Sequence, residues 1–351
     1  MKYIVWFSGW IDSTFVAWYL KKKGHEVLLV NLKNTIDKNK CCSLPTELFK
    51  IADFLRLELR IVNVIDKFKK FVIDDFVENY LKGNTPNPCI NCNENVRFKV
   101  LEQIRKELWY DKVVTWHYVN LLKIDNFFSF SIPKDSWKDQ SYMLYRLVKY
   151  QDILKNLEFP LANFEKAEVK KILEENNIPV NTSKESQNVC FIPDDDYPRF
   201  IKQNFLKQIP NWKIIDTKGN YLWEHRWLIY YTIWQRKGLN LNTNEKKYVI
   251  KIDWKNNVLV VWDNEELYKH KVCISDKKVL FFDKLDSFWV TEIYWKIRYK
   301  WKLQKISKIE NNCVWFEEPV RAVTPGQHLV LYGKYDNNFV VVWGGKIVDN
   351  W

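Results

Sequence analysis

Apolar residues in the first half of the chain gather into short continuous runs separated by stretches with helical spacing. The runs at 3–7 ("YIVWF"), 26–32 ("EVLLVNL"), 59–64 ("LRIVNV") and 112–116 ("KVVTW") read as buried strands. Helical spacing covers 13–23, 45–56, 94–108 and 164–177, and Gly24 stands where the first helix should stop. Strands alternating with helices predict an α/β domain, a parallel sheet with helices on both faces. From residue 207 the helical spacing fades. Short β-type runs follow, among them "YVIKI", "NVLVV", "KVLFF", "CVWFEEPV" and "HLVLY", with turns rich in Asn, Asp and Lys. We expect three domains: 1–206, a small β-rich domain at 207–270, and a C-terminal β-barrel at 271–351. No run of 18 apolar residues exists, so no transmembrane helix is expected. Met1-Lys2 leads straight into a strand-like run without a signal-peptide pattern, and a cytoplasmic protein is expected.

The formal charge of +12 admits either a lysine-rich solvated surface or a polyanion partner such as RNA. Seven cysteines, an odd number, argue for thiol chemistry or a metal rather than a disulfide framework.

Three segments carry candidate chemistry. In "SGWIDS" (8–13) a strand, a Ser-Gly turn and an Asp-Ser helix start offer backbone N–H groups and a positive helix end to an anion. The pattern lacks the Gly-Lys-Ser/Thr ending of a Walker loop. In "TPNPCINCNENVRFK" (85–99) two prolines should hold the backbone extended ahead of a CxxC pair. That pair alone could be half of a zinc site, with Cys41 and Cys42, or a redox motif. In "SQNVCFIPDDDYPRF" (186–200) a lone Cys190 follows a polar turn, and a lone cysteine alone reads as a small buried hydrophobe.

Taken together, and in this order, the three segments resemble the tRNA-specific 2-thiouridylase family, whose nucleotide domain is of the PP-loop ATP pyrophosphatase (adenine-nucleotide α-hydrolase-like) type. The likeness runs nearly the full length. It extends to "KDQSYML" (138–144), "FPLANFEKAEVKKI" (159–172), "EHRWLIYYTIWQRKGL" (224–239), "WKIRYK" (295–300) and "EEPVRAVTPGQHLVLY" (317–332). The resemblance implies an enzyme that adenylates the C2 oxygen of the wobble uridine with ATP and replaces that oxygen by persulfide sulfur. It implies that Trp6, Phe7, Ser8, Gly9, Trp10, Ile11, Asp12 and Ser13 hold the ATP phosphates, with Mg²⁺, and that Leu32 and Trp116 lie against the nucleotide. Cys190 would carry the persulfide and Cys92 would be the second catalytic thiol, resolving it by releasing sulfide or by closing a Cys92–Cys190 disulfide. Asn87, Pro88 and Cys89 would meet the target base; some relatives have Asp where Cys89 stands, and that Asp's considered role is not transferred. Lys138, Asp139, Gln140, Arg298 and Tyr299 would contact tRNA. No resident metal ligand set is expected. The sulfur donor would be a cysteine desulfurase or a relay protein, and the tRNAs those for Lys, Glu or Gln. Two other readings stay open: a PP-loop enzyme that adenylates a different substrate, such as an amidating ligase, and a tRNA-binding protein without turnover.

One feature of the composition is out of line. The chain has 18 Trp and 9 Gly, so glycine is about 2.6% where about 7% is usual. Counted together the two reach about 7.7%, a normal glycine share. Where the family has glycine, this chain has Trp10, Trp116, Trp223, Trp227, Trp234 and Trp343, and Trp6, Trp109 and Trp262 also stand at glycine-favouring places. We infer that the gene uses UGA for glycine, a code of some bacterial lineages, and that the written sequence reads it as Trp. A phosphate loop supports this, because a β-carbon and an indole at residue 10 would strain and crowd it. The codon for residue 10 tests the inference. TGA is expected, and TGG would sink it.

Overall fold

A computed structural model of the chain describes residues 1–34, 45–180, 189–192, 194–205, 212–241, 246–263, 267–275 and 292–348. Cys41, Cys42, Ser186–Asn188 and the "KVLFF" run lie outside the described residues. The apolar runs become parallel strands as their unbroken hydrophobicity requires: β1 (Lys2–Trp6), β2 (Glu26–Lys33), β3 (Glu58–Asn63) and β4 (Lys112–Val114). A hairpin of β5 (Asn120–Ile124) and β6 (Phe127–Ser131) follows, then the short β7 (Leu157–Glu158). The first sheet runs β3-β2-β1-β4-β7, all neighbours parallel. Helix Ile11–Lys22 covers one face, burying Phe15, Val16, Ala17 and Leu20 against β1 and β2. Helix Phe98–Glu107 covers the other, with Phe98 and Leu101 beside Ile4 and Leu28.

The second half is all-β after a helix at Tyr197–Phe205. β8 (Trp212–Ile215), β9 (Tyr221–His225), β10 (Tyr248–Asp253) and β11 (Val258–Trp262) make a four-stranded sheet, β10-β11-β8-β9. Its core is Ile214, Leu228, Val249, Leu259 and Val261. β12 (Tyr268–Cys273), β13 (Ile293–Lys296), β14 (Gln304–Glu310), β15 (Cys313–Arg321), β16 (His328–Tyr335) and β17 (Asn338–Lys346) belong to a larger sheet, β12-β15-β14-β13-β16-β17-β6-β5. Its last two strands are the hairpin from the first half. Val340 sits opposite Ser131, and Ser129 Oγ donates to Val341 O at 2.6 Å.

Two sequence-based expectations change here. A disulfide joins Cys273 to Cys313, directly opposed on β12 and β15. The odd cysteine count concealed it, because an odd total still allows pairs. The segment after Asn87 is not extended: Pro88 opens a helix, Pro88–Cys92, at the position where proline's fixed φ suits a helix start.

Helix ends bear on the tryptophans. After Ile11–Lys22, Gly24 N–H donates to Lys21 O and His25 N–H to Leu20 O, with Gly24 at φ +78°. This paired closure wants a left-handed residue. After Phe98–Glu107 the same two bonds recur, Trp109 to Lys106 and Tyr110 to Arg105, with Trp109 at φ +57° and 87% exposed. Arg56, Gly83 and Asn177 hold the equivalent position elsewhere. Trp234 is also left-handed, at φ +74°. A β-carbon in that region costs about 1–2 kcal/mol, and the exposed Trp109 ring recovers little of it by burial. Trp109→Gly is therefore expected to stabilise the protein by about 1 kcal/mol, read as a raised urea midpoint. An unchanged or lowered midpoint would contradict the strain.

Candidate functional site

The chain winds outward in opposite directions from the boundary between β1 and β4. A parallel sheet ordered this way opens a crevice at the carboxyl ends of those two strands. Residues 7–10 leave β1 there, and residues 115–117 leave β4. Phe7 fixes the start of the first loop: its N–H donates to Val30 O at 2.8 Å, and its carbonyl accepts from Asn31 Nδ2 at 2.8 Å. Gly9 turns the chain at φ +78°. Ser13 Oγ then ties the loop together, accepting from Ser8 N–H at 3.3 Å and Ser8 Oγ at 3.1 Å and donating to Trp10 O at 3.0 Å. The first N–H groups of helix Ile11–Lys22 have no intrahelical acceptor, as in every helix, and lie at the positive end of its dipole. Thr14 Oγ1, in the first turn, is buried without a hydrogen-bond partner among the described residues. Asp12 closes one side, accepting from Tyr118 OH at 2.9 Å and pairing with Lys166 Nζ at 2.7 Å.

The left-handed residue of the loop is Gly9, not residue 10. Trp10 is extended, at φ −84° and ψ 166°, so the backbone strain expected at Trp10 is absent. Other indoles stand beside the loop. The Trp6 and Trp116 rings stack at 4.6 Å, Trp116 stacks on His117 at 5.2 Å, and these planes fill the end of the crevice. Among the described residues, Trp116 Nε1 is buried with no partner, as are Trp254 Nε1 and Trp295 Nε1 in the second half. His117, bonded through Nδ1 to Thr115 Oγ1 at 2.8 Å, is held uncharged by burial and by the nearby Arg97 charge.

The candidate thiols approach the same crevice from two directions. Cys92, at the end of helix Pro88–Cys92, is buried in a cluster with Phe191 and Ile192, which follow Cys190. Leu32, near the end of β2, packs on that cluster and on the cluster containing Trp6. Cys190 is exposed, and Asn34, just beyond β2, points Nδ2 at its sulfur from 3.9 Å. Cys89 is exposed, with protein around it on its other sides. That surrounding pushes its thiol up, and the Arg97 charge opposes the shift. Asn87 Nδ2 lies 3.6 Å from Met143 Sδ, and Pro88 is buried. The backbone leading into this helix is gripped by the C-terminal sheet's loop: Thr85 N–H donates to Pro325 O at 2.9 Å, and Gln327 Nε2 to Thr85 O at 2.7 Å. Gly326, at φ +89°, permits the contact, since a Cβ there would sit 2.8 Å from Asn84 Cβ.

The two segments expected at RNA meet each other. Tyr299 OH donates to Lys138 O at 3.2 Å. Asp139, however, is 2% exposed and pairs at 2.6 Å with Lys296, itself 6% exposed. Gln140 Oε1 accepts from Tyr118 N–H at 2.9 Å. Asp139 and Gln140 thus fasten one part of the molecule to another, while Lys138 and Gln140 both remain partly at the surface. Arg298 Nη2 donates to Ala322 O at 2.9 Å and Thr324 Oγ1 at 3.5 Å, and burial draws its guanidinium below the ordinary value. Reading the sequence missed Lys296 and Gly326, although both lie inside quoted motifs. It also missed Arg97, which stacks on Trp6 with its guanidinium carbon 3.6 Å from the ring centre.

Comparison with known proteins spans the chain. The family profile described as tRNA methyl transferase HUP domain matches residues 1–194, the tRNA methyl transferase PRC-barrel domain 199–263, and the aminomethyltransferase beta-barrel domain 273–347. A Clostridium acetobutylicum protein named tRNA-specific 2-thiouridylase MnmA is 35% identical over 360 residues, covering 99% of both chains. One from Caldanaerobacter subterraneus, named tRNA-specific 2-thiouridylase MnmA 1, is 37% identical over 360 residues, covering 98% of this chain and 97% of its own. Among solved structures, a 4-thiouridine synthetase–RNA complex with bound ATP covers 50% of this chain and 40% of its own at 18% identity and a TM-score of 0.34, too low to argue from.

The burial pattern predicts an order of thiol reactivity. In the native protein an alkylating reagent should label Cys190 and Cys89 well before Cys92, as mapped by peptide mass spectrometry. Labelling of Cys92 first would contradict its placement.

Proposed function

The chain belongs to the tRNA-specific 2-thiouridylase family, and from that premise we propose how its crevice and thiols make 2-thiouridine in tRNA at the expense of ATP. The observation that carries the reading is the convergence of an anion-binding loop, the helix bearing Cys92 and the segment bearing Cys190 at the end of one sheet. The family profile's wording speaks of methyl transfer, whereas the full-length relatives are named for thiolation. Two thiols beside an anion-binding loop favour sulfur chemistry.

The Ser8–Ser13 loop and the start of helix Ile11–Lys22 bind the phosphates of ATP, and Leu32 and residues 6 and 116 lie against the nucleoside. The uridine C2 oxygen attacks the α-phosphorus; a P–O bond forms and the bond to pyrophosphate breaks. Cys190, loaded as a persulfide by a sulfur donor protein of the desulfurase or relay class, attacks C2 through its outer sulfur, and AMP leaves. The Cys92 thiolate then attacks the Cys190 sulfur. The S–S bond to the base breaks, C2 keeps its sulfur, and a Cys92–Cys190 disulfide forms that a cellular thiol must reduce. Asn87, Pro88 and Cys89 flank the base; Lys138, Arg298 and Tyr299 meet the tRNA backbone or stack on it. The Asp12 carboxylate is already paired with Lys166, so a Mg²⁺ accompanying ATP is assigned no protein ligand here. The loop's hydroxyls, the helix start and the partnerless Thr14 hydroxyl suit a nucleotide. The indoles of Trp6, Trp10 and Trp116 do not, and we propose glycine at these positions in the cell. A cytoplasmic location suits an enzyme that acts on tRNA.

A protein that binds tRNA without turnover is the second reading, favoured by the stacked indoles if they are genuine. Protein made with glycine at the TGA positions is expected to consume ATP and form 2-thiouridine. In it, Cys190→Ser should drop thiolation to background while tRNA affinity in a filter-binding assay stays within about threefold, as expected for loss of a covalent carrier alone. A Cys190→Ser protein that still thiolates overturns the assignment.

A further inference from the structure

Five arginines are half-buried among the described residues: Arg97, Arg105, Arg146, Arg199 and Arg298. Arg105 pairs with Glu102, Arg146 with Glu94 and Arg199 with Asp194. Arg298 and Arg97 have no carboxylate partner. Arg298 faces the surface expected to meet RNA phosphates, so its missing partner is accounted for. Arg97 stands at the β1–β4 crevice. One nitrogen donates to Asn93 Oδ1, and its plane lies over Trp6. Asn93 is fixed in turn by Nδ2 donating to Met143 O at 3.0 Å, so the guanidinium is braced from behind. An unpaired cation withdrawn from water is costly unless an anion completes it. Its face is covered by the Trp6 indole, a position we assign to glycine.

We propose that Arg97 is a catalytic residue whose guanidinium holds the α-phosphate of ATP between the nucleotide crevice and the target base. The inference rests on the nucleotide reading of the crevice. Its placement fits: on one side it stacks over the end of β1, and on the other it follows, within one helical run, the Asn87–Cys89 segment that flanks the base. Its charge is felt at both borders, where, after burial, it is the further influence lowering His117 and opposing the rise of Cys89. When the C2 oxygen bonds to the α-phosphorus and pyrophosphate departs, negative charge redistributes over the non-bridging α-oxygens. A braced two-pronged cation stabilises that charge without giving up a proton. It would hold the same phosphate as AMP leaves.

The test compares AMP with adenosine, then turnover, in protein carrying glycine at the TGA positions. By calorimetry that protein should bind AMP more tightly than adenosine, and Arg97→Gln should abolish the difference. Thiolation by Arg97→Gln should fall by about 100-fold or more, the scale of losing one preorganised charge donor, with tRNA affinity within about threefold. Arg97→Lys should restore most of the rate and the AMP preference, which a purely structural role would not predict. Arg97→Gln that keeps the AMP preference, or thiolates within about threefold of the parent, overturns the proposal. If the parent shows the AMP preference but forms no 2-thiouridine, the reading of the reaction fails while the phosphate contact stands. If the parent binds AMP and adenosine equally, the phosphate contact fails.

Discussion

β1 lies in parallel register between β2 and β4, Tyr3 to Val5 opposite Val27 to Leu29 on one side and Lys112 to Val114 on the other. The β4 partner comes from far along the chain: Lys2 N–H reaches the Asp111 carboxylate across 109 positions. This central placement makes the crevice, because the connections leaving β1 and β4 must part in opposite directions. Residues 7–10 and residues 115–117 leave the sheet at this same edge. A slip of one residue between β1 and β4 would turn Ile4 toward the wrong face and carry the loop away from residues 115–117.

Much of this was legible from the sequence for a plain reason. Unbroken apolar runs such as "EVLLVNL" can only be satisfied by burial on both faces, so the parallel sheet is written locally. The anion loop is local too, since Ser8, Gly9 and Ser13 act on one another within six residues. What the sequence withheld is long-range. Nothing near Asp139 announces that its carboxylate meets Lys296, and a charged pair of that kind reads as surface until both partners are seen buried. Likewise the hairpin at 120–131 carries no mark saying that its sheet partner is β17. The cysteine count misled because it tests for a framework of pairs and is blind to one pair inside a larger thiol set.

On the inferred code, the tryptophans illustrate how a wrong letter would leave a physical trace. Trp109 and Trp234 occupy backbone that tolerates glycine best, and Trp116, Trp254 and Trp295 bury an N–H that finds no acceptor. Each is a defect of a kind that side chains shaped by selection rarely show. At residue 10 the backbone is ordinary, so conformation does not mark that position. A geometric screen for mistranslated residues therefore has to weigh conformation, polar satisfaction and volume separately.

The β5–β6 hairpin also bears on how the molecule is made. It emerges from the ribosome early, yet the strand that covers its edge follows 212 residues behind, as the Ser129 to Val341 bond records. Until β17 is synthesised, β6 presents an unpaired row of backbone donors and acceptors, the kind of edge that recruits other chains. The nucleotide-binding half thus cannot reach its finished form on its own during synthesis. Truncation or stalling after residue 131 and before residue 340 leaves that edge open. On the inferred code, a host that reads UGA as stop would end synthesis at residue 6 or 10, long before the hairpin is made.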